Sequence, residues 1–402
     1  MKRSLNLPTF VQTVRHNYLR MLVVLALLSL LWACYPVART SYTNPQDSAS
    51  NQWLIEFRTG EEKVQLTFRY NHRHKDDSGW GYSSHSFQIA PDQLLGLTRA
   101  QAMSGGTHVQ FQLKRDAGSF NCDGWFKDGN GSGHFTFEPN AGFAAELKRQ
   151  GFGAPTYEQQ FSLAMSNVSW AFIRELQDQG YEKPTLEQLV KLGDHGVSLE
   201  YITGLKSLGY MLKSVEYLIK MRDHGVTVHY IREMGDLGYR QLSSDDLINT
   251  RDHGVNPNFV RGLAAAGYDH LSIEQLVRTK DHGVNPEFVK ELTAAGYPTM
   301  PLDEVIALRD HGVNTKFISE LGALGYSRLP LEKLRELKDH GVNAQFIQDL
   351  KQIGYDHIPI EQLIRLRDHG VNAAYIQKMK ARGYNLQTLD EWVGMRDRGE
   401  RE

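Results

Sequence analysis

The sequence predicts an α+β protein with three successive parts: an N-terminal signal or membrane-anchor segment, a small antiparallel β sandwich or barrel, and an α-solenoid of about nine two-helix repeats. Three observations predict this organisation. A mainly apolar run fills residues 21–38, apolar residues alternate with period two from Trp53 onward, and Asp-His-Gly returns every 29 residues from Asp194. The expected parts are a signal or anchor at 1–39, a linker at 40–51, the β domain at 52–139 and the helical repeats at 140–402.

Composition excludes several classes of protein. The 402 residues include 45 Lys or Arg and 47 Asp or Glu, for a formal net charge of −2. This balance excludes nucleic-acid binding through bulk positive charge. Hydrophobic residues make up 41% of the chain, which is enough for packed cores and excludes a wholly disordered protein. The two cysteines, Cys34 and Cys122, exclude a disulfide framework and multi-cysteine metal modules.

The first segment has the features of an export signal. Four Lys or Arg residues within the first 20 positions precede the run Met21–Ala38, which at about 18 residues is short for a membrane span. Because basic flanks stay in the cytoplasm, we expect everything after Arg39 on the periplasmic or cell-surface side of a bacterial membrane. Leu31-Trp32-Ala33-Cys34 resembles a lipoprotein cleavage box, with Cys34 as the lipidation candidate, although a residue smaller than Trp32 is usual there. Lipoprotein, uncleaved anchor and cleaved signal all stay open.

The β domain is predicted by alternation. In the segments Trp53–Phe57, Val64–Tyr70 and Val109–Leu113 every second residue is apolar, which indicates strands with one buried face. Turn sequences rich in Gly, Asp and Ser separate these segments. Six or seven strands in roughly 90 residues predict a small antiparallel sandwich or open barrel. Cys122 lies two residues after Phe120 and therefore on the same face of the strand, so we expect it to face the core and to be inert.

Two groups in this domain are weak metal candidates. His72 and His74 share a strand face, with His85 further along, but a metal site needs three or four convergent ligands. A polar strand end is the expected alternative. The loop that starts at Asp128 matches the first half of a calcium loop, but Pro139 replaces its bidentate Glu, so a tight hairpin is expected. No cofactor is predicted.

From residue 140 the chain repeats with a period of 29 residues. Asp-His-Gly begins at Asp194, Asp223, Asp252, Asp281, Asp310, Asp339 and Asp368. Gly-Tyr begins at Gly180, Gly209, Gly238, Gly267, Gly296, Gly325, Gly354 and Gly383. Such self-similarity without an insertion is the signature of a repeat architecture.

Each unit is predicted to form two short helices. In the unit from Asn285 to Gly312, Asn285 is a favoured N-cap residue and Gly296 a favoured residue after a helix end. A second helix begins near Pro301 and ends at Gly312. Helices of about ten residues are unstable alone. Stacked neighbours would bury the apolar stripes in one continuous core, which defines a solenoid.

The repeated Asp-His-Gly motif has three candidate roles: a structural staple between repeats, a pH-sensing array or a metal site. Equivalent positions in stacked helix pairs lie about 10 Å apart, too far to share one ion. The Asp opposes the helix dipole and therefore needs a donor, from the next helix or the next repeat. The tyrosines of Gly-Tyr either pack at helix ends or form an exposed aromatic row. The residues of the motif are Asp194, His195, Asp223, His224, Asp252, His253, Asp281, His282, Asp310, His311, Asp339, His340, Asp368 and His369.

No HExxH, GxSxG or Walker motif is present in the sequence. The segments Gln65-Leu66-Thr67-Phe68 and Gly118-Ser119-Phe120-Asn121-Cys122, with the Asp-His-Gly-Val-Asn and Gly-Tyr repeats, resemble the extracytoplasmic C-terminal region of bacterial BlaR1/MecR1-like membrane metallopeptidases. The resemblance covers about residues 50–400 and implies a sensor-like region. The multi-span peptidase and its zinc motif are absent from this sequence, so the resemblance implies no protease activity.

These features predict a non-enzymatic, membrane-anchored binding or scaffold protein outside the cytoplasm. Its solenoid would bind a protein, a peptide or an envelope polymer, and no nucleic acid. The alternative is a ligand-sensing accessory protein, in which the β domain binds a small molecule and the solenoid relays binding. A metal-dependent enzyme is a remote third hypothesis.

Overall fold

The computed structural model describes residues 51–58, 60, 62–73 and 80–399. This part of the protein divides into two compact units, with the boundary between Trp170 and Ala171. The predicted export segment, residues 40–50 of the predicted linker, the lipidation candidate Cys34 and the metal candidate His74 lie outside the described residues, whereas Asn51, the last residue of that linker, is described and buried. The predicted α+β architecture is confirmed, because antiparallel strands come first and helices follow them.

The first unit contains one antiparallel sheet of seven strands in the order β3-β2-β1-β7-β6-β5-β4. Two meanders, β1 to β3 and β4 to β7, join where β1 pairs with β7. A short helix, α1 (Arg99–Ala102), lies between β4 and β5. The strands are β1 (Gln52–Glu56), β2 (Val64–Arg73), β3 (Trp80–Ile89), β4 (Leu94–Leu95), β5 (Thr107–Arg115), β6 (Gly118–Lys127) and β7 (Asn130–Pro139).

The sheet curves so strongly that side chains from distant strands meet on its buried face. The rings of Phe68 on β2 and Phe120 on β6 stack with centroids 4.8 Å apart, although β1 and β7 lie between these strands. A flat sheet would place β2 and β6 about 14 Å apart, at three strand spacings. The predicted two-sheet sandwich is therefore wrong for the described strands. Because β1 pairs on both sides, one continuous sheet rolls around its own core, as in the open-barrel alternative.

Trp53 anchors the centre of this core. Its fully buried ring lies edge-on to Phe111 at a centroid distance of 4.9 Å. The indole also lies over Gly124, where a Cβ atom would come within 2.7 Å of the ring. Its Nε1 donates a hydrogen bond to the backbone oxygen of Asp123 at 3.2 Å. The absence of a side chain at Gly124 thus allows the largest core ring to lie directly against β6.

The loop between β6 and β7 is the predicted tight hairpin. β6 ends at Lys127 and β7 begins at Asn130, so only Asp128 and Gly129 form the turn. Their φ angles are +49° and +84°, as a two-residue type I′ turn requires. The calcium-loop alternative is wrong, because residues from Asn130 onward pair as a strand with both β6 and β1.

The helices that follow form two series, each with a period of 29 residues. The first series, here called the A helices, comprises Ala141–Arg149, Trp170–Asp178, Leu199–Ser207, Val228–Asp236, Pro257–Ala265, Pro286–Ala294, Thr315–Ala323, Ala344–Gln352 and Ala373–Ala381. The second series, the B helices, comprises Tyr157–Met165, Leu186–Asp194, Val215–Asp223, Ser244–Asp252, Ile273–Asp281, Leu302–Asp310, Leu331–Asp339, Ile360–Asp368 and Leu389–Asp397. One A helix and the B helix after it make one repeat.

The ends of these helices follow the predicted capping chemistry. The side chain of Asn285 accepts a hydrogen bond from the backbone N–H of Phe288 at 2.8 Å, as an N-cap does. Gly296 and Gly312 have φ angles of +91° and +72° and end the A and B helices of this repeat. Each helix is therefore limited to nine residues by its own sequence.

In the second unit, helices pack on their counterparts in the next repeat. The strongest helix contacts join A helices to A helices and B helices to B helices of neighbouring repeats. A Phe or Tyr, a β-branched residue and a Leu or Met of each A helix in this unit face inward; in one repeat these are Phe288, Val289 and Leu292, all at most 4% exposed. Val313, after the B helix, is fully buried. Nine-residue helices thus become stable by sharing one apolar interior.

The first A and B helices belong to the same unit as the sheet. Gln160 donates hydrogen bonds from Nε2 to the backbone oxygens of Ala117 and Asn140, each at 2.7 Å. The ring of Phe161 meets Phe137 edge-on at 5.3 Å and also contacts Phe120. The unit boundary at Trp170 therefore lies one helix pair after the start of the repeats at residue 140.

Candidate functional site

Seven hydrogen bonds of one kind join successive repeats along an exposed edge of the second unit. In each, Nδ1 of the His in one Asp-His-Gly motif lies 2.5–2.7 Å from Oδ1 of the Asp in the equivalent position of the next repeat. We call this set the His–Asp ladder. Its pairs are His195–Asp223, His224–Asp252, His253–Asp281, His282–Asp310, His311–Asp339, His340–Asp368 and His369–Asp397.

The position of each partner follows from the helix ends. The ladder Asp is the last residue of its B helix and the His is the C-cap residue after it, as Asp310 and His311 show. A carboxylate at a helix C-terminus opposes the helix dipole. The N–H of the preceding repeat's imidazole offsets that unfavourable position. Asp194 is the first Asp of the series, and Ser166 occupies the position where a ladder His would precede it.

The ladder fixes the tautomer of each histidine. A carboxylate only accepts hydrogen bonds, so Nδ1 must carry the proton. In the neutral ring, Nε2 is then the acceptor nitrogen. The His side chains are 36–42% exposed and their Asp partners 44–49% exposed. One edge of the repeats therefore presents the same half-exposed imidazole at every step.

The basic residue before each ladder Asp supports the same joint. Its cationic group lies 4.4–5.2 Å above the centre of the aromatic ring in the A helix of its own repeat. At six of the seven joints, with Gly312 as the exception, the side chain also lies close to the glycine of the preceding motif: a Cβ atom on Gly225 would lie 3.0 Å from a guanidinium nitrogen of Arg251. The pairs are Arg222–Tyr201, Arg251–Tyr230, Lys280–Phe259, Arg309–Phe288, Lys338–Phe317, Arg367–Phe346 and Arg396–Tyr375.

The Gly-Tyr tyrosines also bind repeat to repeat. The hydroxyl of Tyr297 donates to the backbone oxygen of Leu329 in the next repeat at 3.0 Å, and Tyr239, Tyr268 and Tyr326 make the equivalent bond at 2.7 Å. The Tyr297 side chain is only 8% exposed, and burial raises the pKa of its hydroxyl. The sequence left two alternatives for the Gly-Tyr tyrosines, packing at helix ends or an exposed aromatic row. These four tyrosines pack at helix ends, whereas Tyr384 in the last repeat is 42% exposed.

Sequence reasoning missed an acidic column at the start of the B helices. The second residue of every B helix is acidic. A carboxylate near the N-terminus of a helix is stabilised by the positive end of the helix dipole. Four of these residues pair with a base of the preceding repeat: Lys220 with Asp245, Arg278 with Asp303, Lys333 with Glu361 and Arg365 with Asp390, at 2.6–3.2 Å. The column consists of Glu158, Glu187, Glu216, Asp245, Glu274, Asp303, Glu332, Glu361 and Asp390. Counting acidic residues at period 29 would have found it.

Of the three weak metal candidates, His85 is the one whose side chain lies in the part of the chain that the structure describes. His72 lies on β2 opposite Gly81 of β3, and His85 lies on β3 with its ring 5.8 Å from that of Phe87. Burial lowers the pKa of His85. Within the described ranges no group of three or more His, Cys, Asp or Glu side chains is placed to hold a metal ion. Cys122 is 3% exposed, and burial raises the pKa of its thiol.

Across residues 51–399, the helices that the structure describes are too short and too polar to cross a membrane. No protein-family model matches the chain, and no curated protein is significantly similar to it.

Proposed function

We propose that this protein is a non-enzymatic binding scaffold, held at a bacterial membrane by residues 1–39 and exposed on its outer side. Its helical repeats form a solenoid that binds an extended partner, either a protein or peptide segment or an envelope polymer. The observation that carries this proposal is the His–Asp ladder, because seven successive joints use the same pair of residues at the same distance.

A surface with this regularity suits a partner that is itself extended. The ladder presents an imidazole and a carboxylate at every step, both half-exposed. The joints are also tied by the buried tyrosine hydroxyls, so neighbouring repeats hold their relative positions. A preorganised surface binds with a smaller loss of conformational entropy than a flexible one. In this proposal the His–Asp ladder both joins the repeats and forms part of the binding surface.

The resemblance to the extracytoplasmic region of BlaR1/MecR1-like proteins favours a related alternative. In that alternative the β domain binds a ligand and the repeats relay the event. An open depression on the sheet, described below, is the observation that favours it. Both hypotheses place the protein outside the cytoplasm, and neither requires a metal or another cofactor.

Site-specific photocrosslinking in the producing cell tests the scaffold proposal. A photoreactive amino acid replaces one exposed residue at a time in the full chain: His282 on the ladder, Lys290 on an A helix or Glu274 on a B helix. The proposal expects a crosslinked species from one of these faces. When the photoreactive residue is moved along that face to the equivalent positions of neighbouring repeats, several of them should crosslink as well. Absence of crosslinked species from all three faces, with normal protein levels, would contradict it.

A further inference from the structure

The outer face of the sheet carries an exposed aromatic ring beside an open depression. Trp125 on β6 is 61% exposed, and its ring lies edge-to-face with His108 of β5 at 5.1 Å. Next to it, a depression of about 690 Å³ spans β4 to β7. Its lining includes the outward-pointing polar residues Gln110, Gln112, Asn121, Asp123, His134 and Thr136.

The polar groups of this face are held in order by each other. Asp123 accepts hydrogen bonds from Nε2 of Gln110 at 2.7 Å and from Nε2 of His108 at 3.1 Å. Nε2 of Gln112 donates to Oδ1 of Asn121 at 2.5 Å. These bonds fix the orientation of each amide. Oε1 of Gln112 and Nδ2 of Asn121 make no hydrogen bond among the described residues. The face therefore offers both acceptors and donors in set positions.

The backbone beneath the patch is rigid. The Trp53 indole on the buried side donates to the Asp123 backbone oxygen at 3.2 Å and lies against Gly124. Trp125 and Asp123 thus belong to a strand that is bonded on both sides and supported from below. A site on a rigid strand keeps its geometry better than a site on a loop.

The charge of the patch selects the class of ligand. Among the described residues that line the depression none is Lys or Arg, and Asp123 is the one carboxylate. Hydrogen bonds from Gln110 and His108 lower the pKa of Asp123, which keeps it ionised near neutral pH. The depression therefore offers no basic side chain to an anionic polymer. Nucleic-acid sites combine aromatic rings with a positively charged groove, whereas the described lining of this depression contains no Lys or Arg.

We propose that this outer face of β5 to β7 binds a β-linked glycan chain. The flat C–H face of a pyranose ring is apolar and fits the exposed indole of Trp125, while hydroxyl groups around the ring match amides and a carboxylate. A β-linked chain is an extended ribbon, which can place one sugar on Trp125 and the next over Gln110, Asp123 and His134. An apolar peptide would leave these polar groups desolvated without partners. The site lies on the sheet and contains no residue of the helical repeats, so its test is independent of the scaffold proposal.

Titration of the full-length protein with defined hexasaccharides tests this site. Cellohexaose and chitohexaose, both β-linked, are added while binding heat and tryptophan fluorescence are recorded; α-linked maltohexaose and single-stranded DNA are the comparison ligands. We expect saturable binding of at least one β-linked hexasaccharide. Trp125→Ala should weaken that binding about tenfold or more, Trp125→Phe should restore part of it, and Asn121→Ala should weaken it a few-fold.

Tyr82→Ala is the matched control. Tyr82 lies on the outer face of β3, outside the patch, and is 62% exposed, almost the same as Trp125. Its replacement should leave glycan affinity unchanged. Circular dichroism and thermal melting confirm that each variant is folded. The proposal is overturned if neither β-linked hexasaccharide binds, if Trp125→Ala binds as well as the parent protein or Tyr82→Ala binds as weakly as Trp125→Ala, or if only maltohexaose or DNA binds.

Discussion

Nδ1 of His282 lies 2.6 Å from Oδ1 of Asp310, which is 28 residues further along the chain and in the next repeat. The bond connects the ends of two successive B helices. It recurs at every joint from His195 to Asp397. A motif that is local in the sequence therefore acts between repeats: from Asp223 onward, the His of each Asp-His-Gly bonds to the following repeat and its Asp bonds to the preceding one.

The central ladder bonds should contribute measurable, modest stability. Because both groups of the His253–Asp281 pair are about 40% exposed, we expect Asp281→Ala to lower the free energy of unfolding by about 0.5–1 kcal/mol. The melting temperature should fall and the metal content of the protein should stay unchanged. A double-mutant cycle with His253→Ala, measured by urea unfolding, isolates the pair. A coupling energy of zero would remove the structural role.

Substitution of two glycines of the Asp-His-Gly motifs distinguishes the energetic cost of backbone strain from the cost of a close side-chain contact. Gly225 and Gly312 have nearly equal φ angles, +69° and +72°. Only at Gly225 does a side chain, that of Arg251, lie close to the position of a Cβ atom. Gly312→Ala should cost about 1–2 kcal/mol from the left-handed backbone alone. Gly225→Ala should cost more, because Arg251 must also move from above Tyr230. Equal losses in thermal unfolding would show that the contact is unimportant.

His85 should make the first unit less stable in acid. Burial lowers its pKa in the folded protein below the usual value of about 6.5, so the unfolded chain binds a proton more readily. Stability should therefore fall as the pH drops through about 6.5 toward the folded-state pKa, and level off below it. His85→Gln should reduce this loss. Melting temperatures of both proteins between pH 8 and pH 5, compared at each pH, check the sign, since the ladder histidines are common to both.

Cys34 distinguishes the three hypotheses for the export segment. If residues 31–34 form a lipoprotein cleavage box, radiolabelled palmitate should enter the protein and Cys34→Ser should abolish labelling. Mass spectrometry should then find the mature chain beginning at residue 34. A full-length, unlabelled chain in the membrane fraction would instead identify an uncleaved anchor, and a shorter soluble chain an ordinary cleaved signal.

The repeat units were predictable because their information is local and recurs. Asn285, Gly296 and Gly312 cap helices through bonds to their own neighbours, so each cap can be recognised within a few residues. The partner of each ladder Asp was not predictable in the same way. The sequence offered the next helix or the next repeat as donors, whereas the donor is the His of the preceding repeat, and that choice depends on how the B helices stack.

The sheet shows the same limit. Alternation correctly placed Trp53, Phe68, Phe120 and Cys122 on the buried face, because parity is a property of each strand alone. Whether the strands form two sheets or one depends on the pairing of β1 with β7, which are far apart in the chain. The Trp125 patch was missed for a related reason. Parity indicates that Trp125 faces outward, but only the pairing of β5, β6 and β7 gathers its polar neighbours around it.

The joints in the second unit recur with the 29-residue period, so the number of repeats is not fixed by the fold. Asn256 and Asn285 cap equivalent helices with equivalent bonds. Removing residues 256–284 would bring two compatible joints together and leave the His–Asp ladder of the remaining repeats chemically unchanged. Duplication of the same stretch would do the reverse. The number of repeats can thus be set by copying or deleting whole units, without any redesign of the core.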